Sequence, residues 1–378
     1  MNIHRSLKPP EKRSFFLFGP RGTGKSHFLR SYYRDAKTID LLDEKTLMDF
    51  SAHPERLEAV VSAMANGEVL VIEEVQKAPN LLSKIHQLIE EPRFPNVYFA
   101  LTGSSVRKLQ REGVDLLAGR AVLKTLHPFT AGELGENFNL EKHLALGMLP
   151  LVWSSPNPQA TLESYVALYL KEEVKAERLV KNLATFTRFL EAMTFSHGEV
   201  LNLSNVARES GVKRSTCDGH LEVLEDLLLG YRIPIFKKRN RKQTVDSDKF
   251  YFFDSGVYQS LKPSGPLDDP GATKGPAFEG FIEQHLRASI SYRNCGEEMF
   301  YWRTKAGNEV DFVVYGPDRF DAVEVKNSTN IRPKDLSGLK SFLADYPEAQ
   351  AKLVYRGNHR QKIGNITCIP AEDFLRNL

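Results

Sequence analysis

The segment Gly19-Pro20-Arg21-Gly22-Thr23-Gly24-Lys25-Ser26 constrains this chain more than any other, because it satisfies GxxxxGK[ST] in full. Glycine opens backbone conformations closed to other residues, so consecutive N–H groups can converge on one phosphate. Lys25 brings a point charge to the β- and γ-phosphates, and the Ser26 hydroxyl can reach Mg²⁺. The flanks suit the loop. Ser14–Phe18 (SFFLF) reads as a buried strand, and an amphipathic pattern follows Gly24, whose helix would add the positive end of its dipole. A Gly-rich turn matching by chance would not be framed in this way. Gly19 to Ser26 are therefore expected to bind ATP or GTP, with ATP preferred, and Mg²⁺.

The surrounding sequence extends this reading. Val69–Ile72, Val97–Leu101 and Ala121–Leu126 are further short apolar runs, separated by amphipathic stretches such as Pro54–Ala65 and Leu81–Glu90. Strands apolar on both faces that alternate with helices indicate a parallel sheet covered by helices, an α/β fold. Two acids close the second run in VLVIEEVQ, where ligand chemistry gathers at strand carboxyl ends. Glu73 is expected on the Mg²⁺ side, and Glu74 is expected to orient and polarise the attacking water. The usual first acid is Asp, so the longer Glu73 is expected to weaken or reposition the metal contact. In LTGSS, Ser104 (or Thr102 or Ser105) is placed to sense the γ-phosphate, or else to cap a turn. Arg120 is a candidate charge stabiliser, in its own subunit or a neighbour's.

HPFTAGELGENFN breaks the alternation, which places the end of the nucleotide domain near residue 139. Leu140–Ala192 reads as largely helical. Ser204–Ser210, begun by a Ser cap, then Gly211-Val212, then Ser215–Leu229 form a helix, turn, helix pattern. The strand-like runs Tyr231–Phe236 and Lys249–Phe253 follow. Helix, turn, helix and a basic hairpin is the winged-helix order. Lys213 and Arg214 stand at the start of the second helix. Lys237, Lys238, Arg239, Arg241 and Lys242 crowd the hairpin, where phosphate neutralisation would give steep salt dependence. The competing readings are a solvated tip and a protein-interaction module. Leu261–Pro276 reads as a linker. Beyond it come a helix at Ala277–Ser289, another near Lys334–Asp345, and strands at Met299–Arg303, Glu309–Tyr315, Phe320–Lys326 and Ala351–Tyr355. The domain expectation is 1–139, 140–260 and 261–378.

Composition excludes little beyond this. The net charge is only +3 over 378 residues, so any nucleic-acid surface has to be local. Three scattered cysteines form no CxxC pair, which suits a reducing compartment and argues against a zinc site. The N-terminus lacks the apolar region of a signal peptide, and no apolar run approaches the ~20 residues of a membrane helix. A cytoplasmic location and no membrane partner are expected.

GPRGTGKS, VIEEVQKAP, LTGSS, LAGR and HPFTAGEL together resemble AAA-superfamily ATPases of bacteria and archaea that carry a C-terminal nuclease-like domain of unknown function. The resemblance continues through the winged-helix segment, KFYFFDSGV, GPAFEGFIEQHL, YWRTKAGNEVDFVV and AVEVKNS, covering nearly the whole chain in order. It implies a P-loop core with an extra strand between the two Walker strands, raises Glu74, Ser104 and Arg120 as functional positions, and allows a homo-oligomer. In the last segment, Asp311 on one strand and Glu324-Val325-Lys326 on its neighbour match the PD-(D/E)XK pattern. Glu324 and Lys326 share a strand face. Asp311 and Glu324 would hold Mg²⁺, Lys326 would help lower the pKa of a metal-bound water, and Glu279 would be an extra acid. The cluster could equally be a fossil of the fold or a surface ion-pair group. Two readings follow: an ATP-powered enzyme on DNA with or without cleavage, or a nucleotide-dependent switch or scaffold whose nuclease-like domain only binds DNA or protein.

Overall fold

The computed structural model describes residues 3–94, 96–103, 117, 119–169, 174, 180, 182–237, 248–263, 265 and 270–378. The chain divides into two compact units. One is His4–His127 with Asp226–Leu228; the other is the remainder, chiefly Pro128–Glu225 and Leu229–Leu378.

The first unit is a sheet of five parallel strands, β1 (Ser14–Phe18), β2 (Thr38–Asp40), β3 (Val69–Glu73), β4 (Tyr98–Thr102) and β5 (Ala121–Thr125), in the order β2-β3-β4-β1-β5. β4 lies between β1, which feeds the P-loop, and β3, which ends in Glu73, so the extra strand implied by the resemblance is present. Phe16, Phe18, Leu70, Ile72, Phe99 and Leu101 are almost wholly buried, which explains why these strands read as continuous apolar runs. Among the described residues its α-helices are α1 (Lys25–Tyr32), α2 (Glu44–Ala52), α3 (Arg56–Ser62) and α4 (Asn80–Glu90). α4 is strongly amphipathic and packs Leu81, Leu82, Ile85 and Leu88 into the same core. α2 buries no residue fully, which is why its apolar periodicity is weak in the sequence; its start is fixed by Asp43, whose carboxylate accepts from Thr46 N at 2.8 Å.

In the second unit, the helices Leu203–Ser210 and Arg214–Asp226 flank Gly211, which takes the left-handed conformation at φ 63°. The first of them is capped by Asn202, which accepts from Ser204 N and Asn205 N, rather than by a serine. A two-stranded antiparallel sheet follows, β6 (Gly230–Ile233) with β7 (Lys249–Phe252). The stretch expected to be a linker is helical from Pro270: one helix runs Pro270–Arg293. Proline is tolerated at a first helical position, and Pro276 is carried inside the helix at the cost of one backbone bond. The six-stranded sheet has the order β12-β13-β11-β10-β9-β8. β8 (Glu298–Arg303), β9 (Glu309–Gly316) and β10 (Arg319–Lys326) form an antiparallel meander, and β11 (Gln350–Tyr355) joins β10 in parallel after the helix Ser337–Asp345. β12 (Gln361–Ile363) and β13 (Ile366–Pro370) complete the sheet and have no counterpart in the sequence expectation.

Candidate nucleotide site and the C-terminal acid cluster

The P-loop turns through three glycines, Gly19, Gly22 and Gly24, at φ 153°, 84° and 84°. A Cβ at Gly19 would stand 2.3 Å from Leu126 O, so that position excludes any side chain. Thr23 Oγ1 donates to Pro20 O at 2.8 Å, and Lys25 Nζ donates to Gly19 O at 2.7 Å, placing the ammonium against the loop itself. Arg21 begins the exposed rim of the loop, and Pro20 is buried. Arg5 was not anticipated from the sequence. Its guanidinium is buried and donates to Thr23 O at 3.0 Å and His127 O at 2.5 Å, bracing the loop from behind.

Glu73 ends β3 with only 2% of its surface exposed. One carboxylate oxygen accepts from Ser26 Oγ, and the other accepts from Arg30 Nη2 at 3.2 Å. The longer side chain therefore still reaches the P-loop serine. Its oxygen and that hydroxyl are the hard donors that Mg²⁺ requires. Glu74 is next, in the left-handed conformation at φ 58° and ψ 46°. A non-glycine residue there is uncommon and costs ~1–3 kcal/mol. Its N–H donates to Thr102 Oγ1 at 3.1 Å, and its carboxylate accepts from Gln76 Nε2 at 2.6 Å. Gln76 in turn lies over Gly103, where a Cβ would come within 2.8 Å of the amide oxygen. Thr102, one of the three candidate hydroxyls, is thus tied to Glu74. Ser104 and Ser105 lie outside the described residues. Arg120 pairs with Glu90 at the end of α4.

On the second unit, Lys213 and Arg214 are exposed at the start of the helix Arg214–Asp226, with Arg214 paired to Asp218. Lys237 is half-buried; Lys238, Arg239, Arg241 and Lys242 lie outside the described residues.

The C-terminal acids do converge. Asp311 on β9 and Glu324 on β10 occupy adjacent strands, and Asp311 Oδ2 accepts from Val325 N at 2.8 Å. Lys326 Nζ donates to Glu324 Oε1 at 2.5 Å. Glu279, on the helix Pro270–Arg293, accepts from Tyr251 Oη at 2.6 Å. Lys249 is the surprise. Its side chain is 3% exposed, and Nζ stands 2.5 Å from Glu309, 3.3 Å from Glu279 and 3.7 Å from Asp311. Burial alone would pull this ammonium down, but the Glu279, Asp311 and Glu309 carboxylates outweigh it and hold its pKa above the ordinary lysine value. Loss of water, then the Asp311 charge, lifts Glu279 to about 7, against the pull of Lys249 and Tyr251. The same two causes, in the same order, push Glu324 well above the usual carboxylate range. Among the described residues, no group of three or more His, Cys, Asp or Glu side chains is arranged to hold a metal ion.

Residues 11–135 match the model of a family described as an AAA domain. Residues 137–268 and 274–374 match two further families, each described as a domain of unknown function (DUF8612 and DUF4143). The first unit thus carries an AAA-type P-loop fold. No curated protein matches the chain. Solved structures with similarity include the Thermotoga maritima RuvB Holliday junction branch migration motor, 16% identical over 59% of this chain and 82% of that one, with a TM-score of 0.27. Another is a STAND-family signal transduction ATPase with a tetratricopeptide repeat sensor from Pyrococcus horikoshii, 13% identical over 74% and 43% of the two chains, with a TM-score of 0.27. No helix among the described residues is long and apolar enough to cross a membrane.

Proposed function

We propose that the protein binds ATP with Mg²⁺ and hydrolyses it, and that it acts on DNA. The observation carrying hydrolysis over simple binding is Glu74. This acid is held in a left-handed conformation at a strand end by Thr102 on its N–H and Gln76 on its carboxylate. Such strain at a functional position is consistent with a preset direction for an acceptor that orients water. Glu73 and Ser26 would hold the metal, which neutralises charge on the β- and γ-phosphates when bound. Lys25 exchanges its loop carbonyls for phosphate oxygens.

Lys25→Ala is expected to abolish binding of a fluorescent ATP analogue. Glu74→Gln is expected to retain binding and to lose turnover by ~10²–10⁴-fold. Hydrolysis at the unaltered rate in Glu74→Gln would reject the role. The DNA reading rests on the exposed Lys213 and Arg214 at the head of the second helix and on the basic run 237–242 of the sequence. Neutralising that run should lower the salt slope of duplex binding by roughly one for each phosphate no longer neutralised; an unchanged slope removes it from the interface.

A second reading, a nucleotide-dependent switch whose C-terminal domain binds without cutting, is favoured for that domain by the position of Lys249.

A further inference from the structure

Three acids of the cluster, Glu279, Glu309 and Asp311, surround a cation that the chain supplies itself. Lys249 opens β7. Its backbone is fixed from two sides, by pairing with Ile233 of β6 and by a bridge to Val200. Side chains alternate along a strand. Phe250 and Phe252 therefore turn one way, meeting edge to face at 5.1 Å, while Lys249 and Tyr251 turn the other way and both reach Glu279. An ammonium has three N–H donors, and three carboxylates surround this one, at 2.5, 3.3 and 3.7 Å.

A divalent ion on Asp311 and its neighbours needs oxygens at ~2.0–2.6 Å. Nζ stands 3.7 Å from an Asp311 oxygen, on the side of Glu309 and Glu279. A second cation beside a buried ammonium would meet like-charge repulsion in a site little screened by solvent. Glu324 Oε2 is buried and has no hydrogen-bond partner among the described residues. The residues that a metal-dependent nuclease would use are therefore present, but a buried ammonium of the chain already stands beside Asp311.

We propose that the ligand of the Glu279, Glu309 and Asp311 cluster is the Lys249 ammonium of the same chain, whose charge beside Asp311 leaves the C-terminal domain without a Mg²⁺ site. The cluster then serves as a clamp. It fastens the strand after the helix–turn–helix to the C-terminal sheet, and metal-dependent cleavage is closed. This is independent of the ATPase reading, which concerns Glu73 and Glu74.

The test is Mn²⁺ binding to the full chain without nucleotide, read by the electron paramagnetic resonance of the free ion. Wild type and Asp311→Asn are expected to bind the same number of Mn²⁺ ions. Lys249→Met should gain one site per chain, which Asp311→Asn in the same chain removes. Lys249→Arg, which keeps the charge, should gain none. A wild-type site that disappears in Asp311→Asn overturns the proposal, as does a folded Lys249→Met that gains no site. If Lys249→Met does not fold, the comparison of wild type with Asp311→Asn decides alone. Nicking of supercoiled plasmid by wild type in Mn²⁺, abolished by Lys326→Ala, overturns it equally.

Discussion

Replacing Arg5 should damage the nucleotide site although Arg5 lies outside every phosphate-binding motif. Its guanidinium donates to two main-chain oxygens, Thr23 O at 3.0 Å and His127 O at 2.5 Å. Thr23 sits between Gly22 and Gly24, both at φ 84°, so its carbonyl direction sets where the neighbouring N–H groups point. Arg5→Met keeps much of the buried volume and removes the donors. Each buried acceptor that loses this donor costs ~1–3 kcal/mol, giving about 2–6 kcal/mol in total. Part of that is relieved if the loop relaxes outward, and this relaxation is what nucleotide must reverse on binding. If half the cost must be recovered, affinity falls by ~5-fold to ~140-fold, at about 1.4 kcal/mol per decade. Titration with a fluorescent ATP analogue measures the affinity, and urea unfolding measures the stability. Arg5→Lys, able to serve one oxygen, should fall between. An Arg5→Met chain whose affinity stays within about twofold and whose unfolding free energy is unchanged would refute the bracing role.

Two further outcomes concern the second unit. Gly280→Ala should lower the melting temperature although alanine is the better helix former, because the new Cβ would stand 2.2 Å from His197 Nε2. His197 is buried and stacked on Tyr258 at 3.9 Å, so it cannot retreat; overpacking of ~1–3 kcal/mol exceeds the ~1 kcal/mol propensity gain. A rise in melting temperature would show that the ring moves freely. His285 is buried, with its pKa lowered to about 4 from 6.5, chiefly by loss of water. The unfolded chain takes up this proton between pH 6.5 and about 4 and the folded chain does not, so the stability tied to neutral His285 is lost as pH falls through that window. At ~1.4 kcal/mol per unit this reaches about 3 kcal/mol, so the advantage of wild type over His285→Gln should shrink by that amount from pH 7.5 to 4. Glu283, raised to about 7 by burial, acts with the opposite sign between pH 4.5 and 7, which is why the difference between the two chains is the quantity to measure. A difference that does not vary with pH rejects a buried neutral His285.

The candidate nucleotide site is legible in the sequence because its parts are local. The P-loop is contiguous, Lys25 and Ser26 follow its last glycine, and Glu73 and Glu74 sit where an apolar run stops. Substituting Glu for Asp at position 73 changes reach by one methylene, and the Ser26 contact shows that β3 accommodates it. Elements shorter than the pattern were missed. β2 has three residues, β12 has three, and β13 ends in a proline. The helix Pro270–Arg293 was half hidden because glycine and proline carry the composition of a linker, while its burial against Phe253 and Tyr251 supplies what propensity withholds.

Lys249 and Arg5 were illegible for a different reason. A cation in a sequence pattern reads as a polar position, hence as a solvated edge, and KFYFF accordingly reads as an apolar strand with a charged start. Whether a charge can be buried depends on which carboxylates or carbonyls meet it. Those of Lys249 come from Glu279, Glu309 and Asp311, distant in sequence and brought together only by the fold. The Asp311 and Glu324-Val325-Lys326 pattern records the residues of a possible metal site without recording its occupant. Any chain that keeps these acids beside a strand beginning in a buried lysine should therefore be judged on the lysine first, since one ammonium seated among three carboxylates changes the chemistry that the same acids can perform.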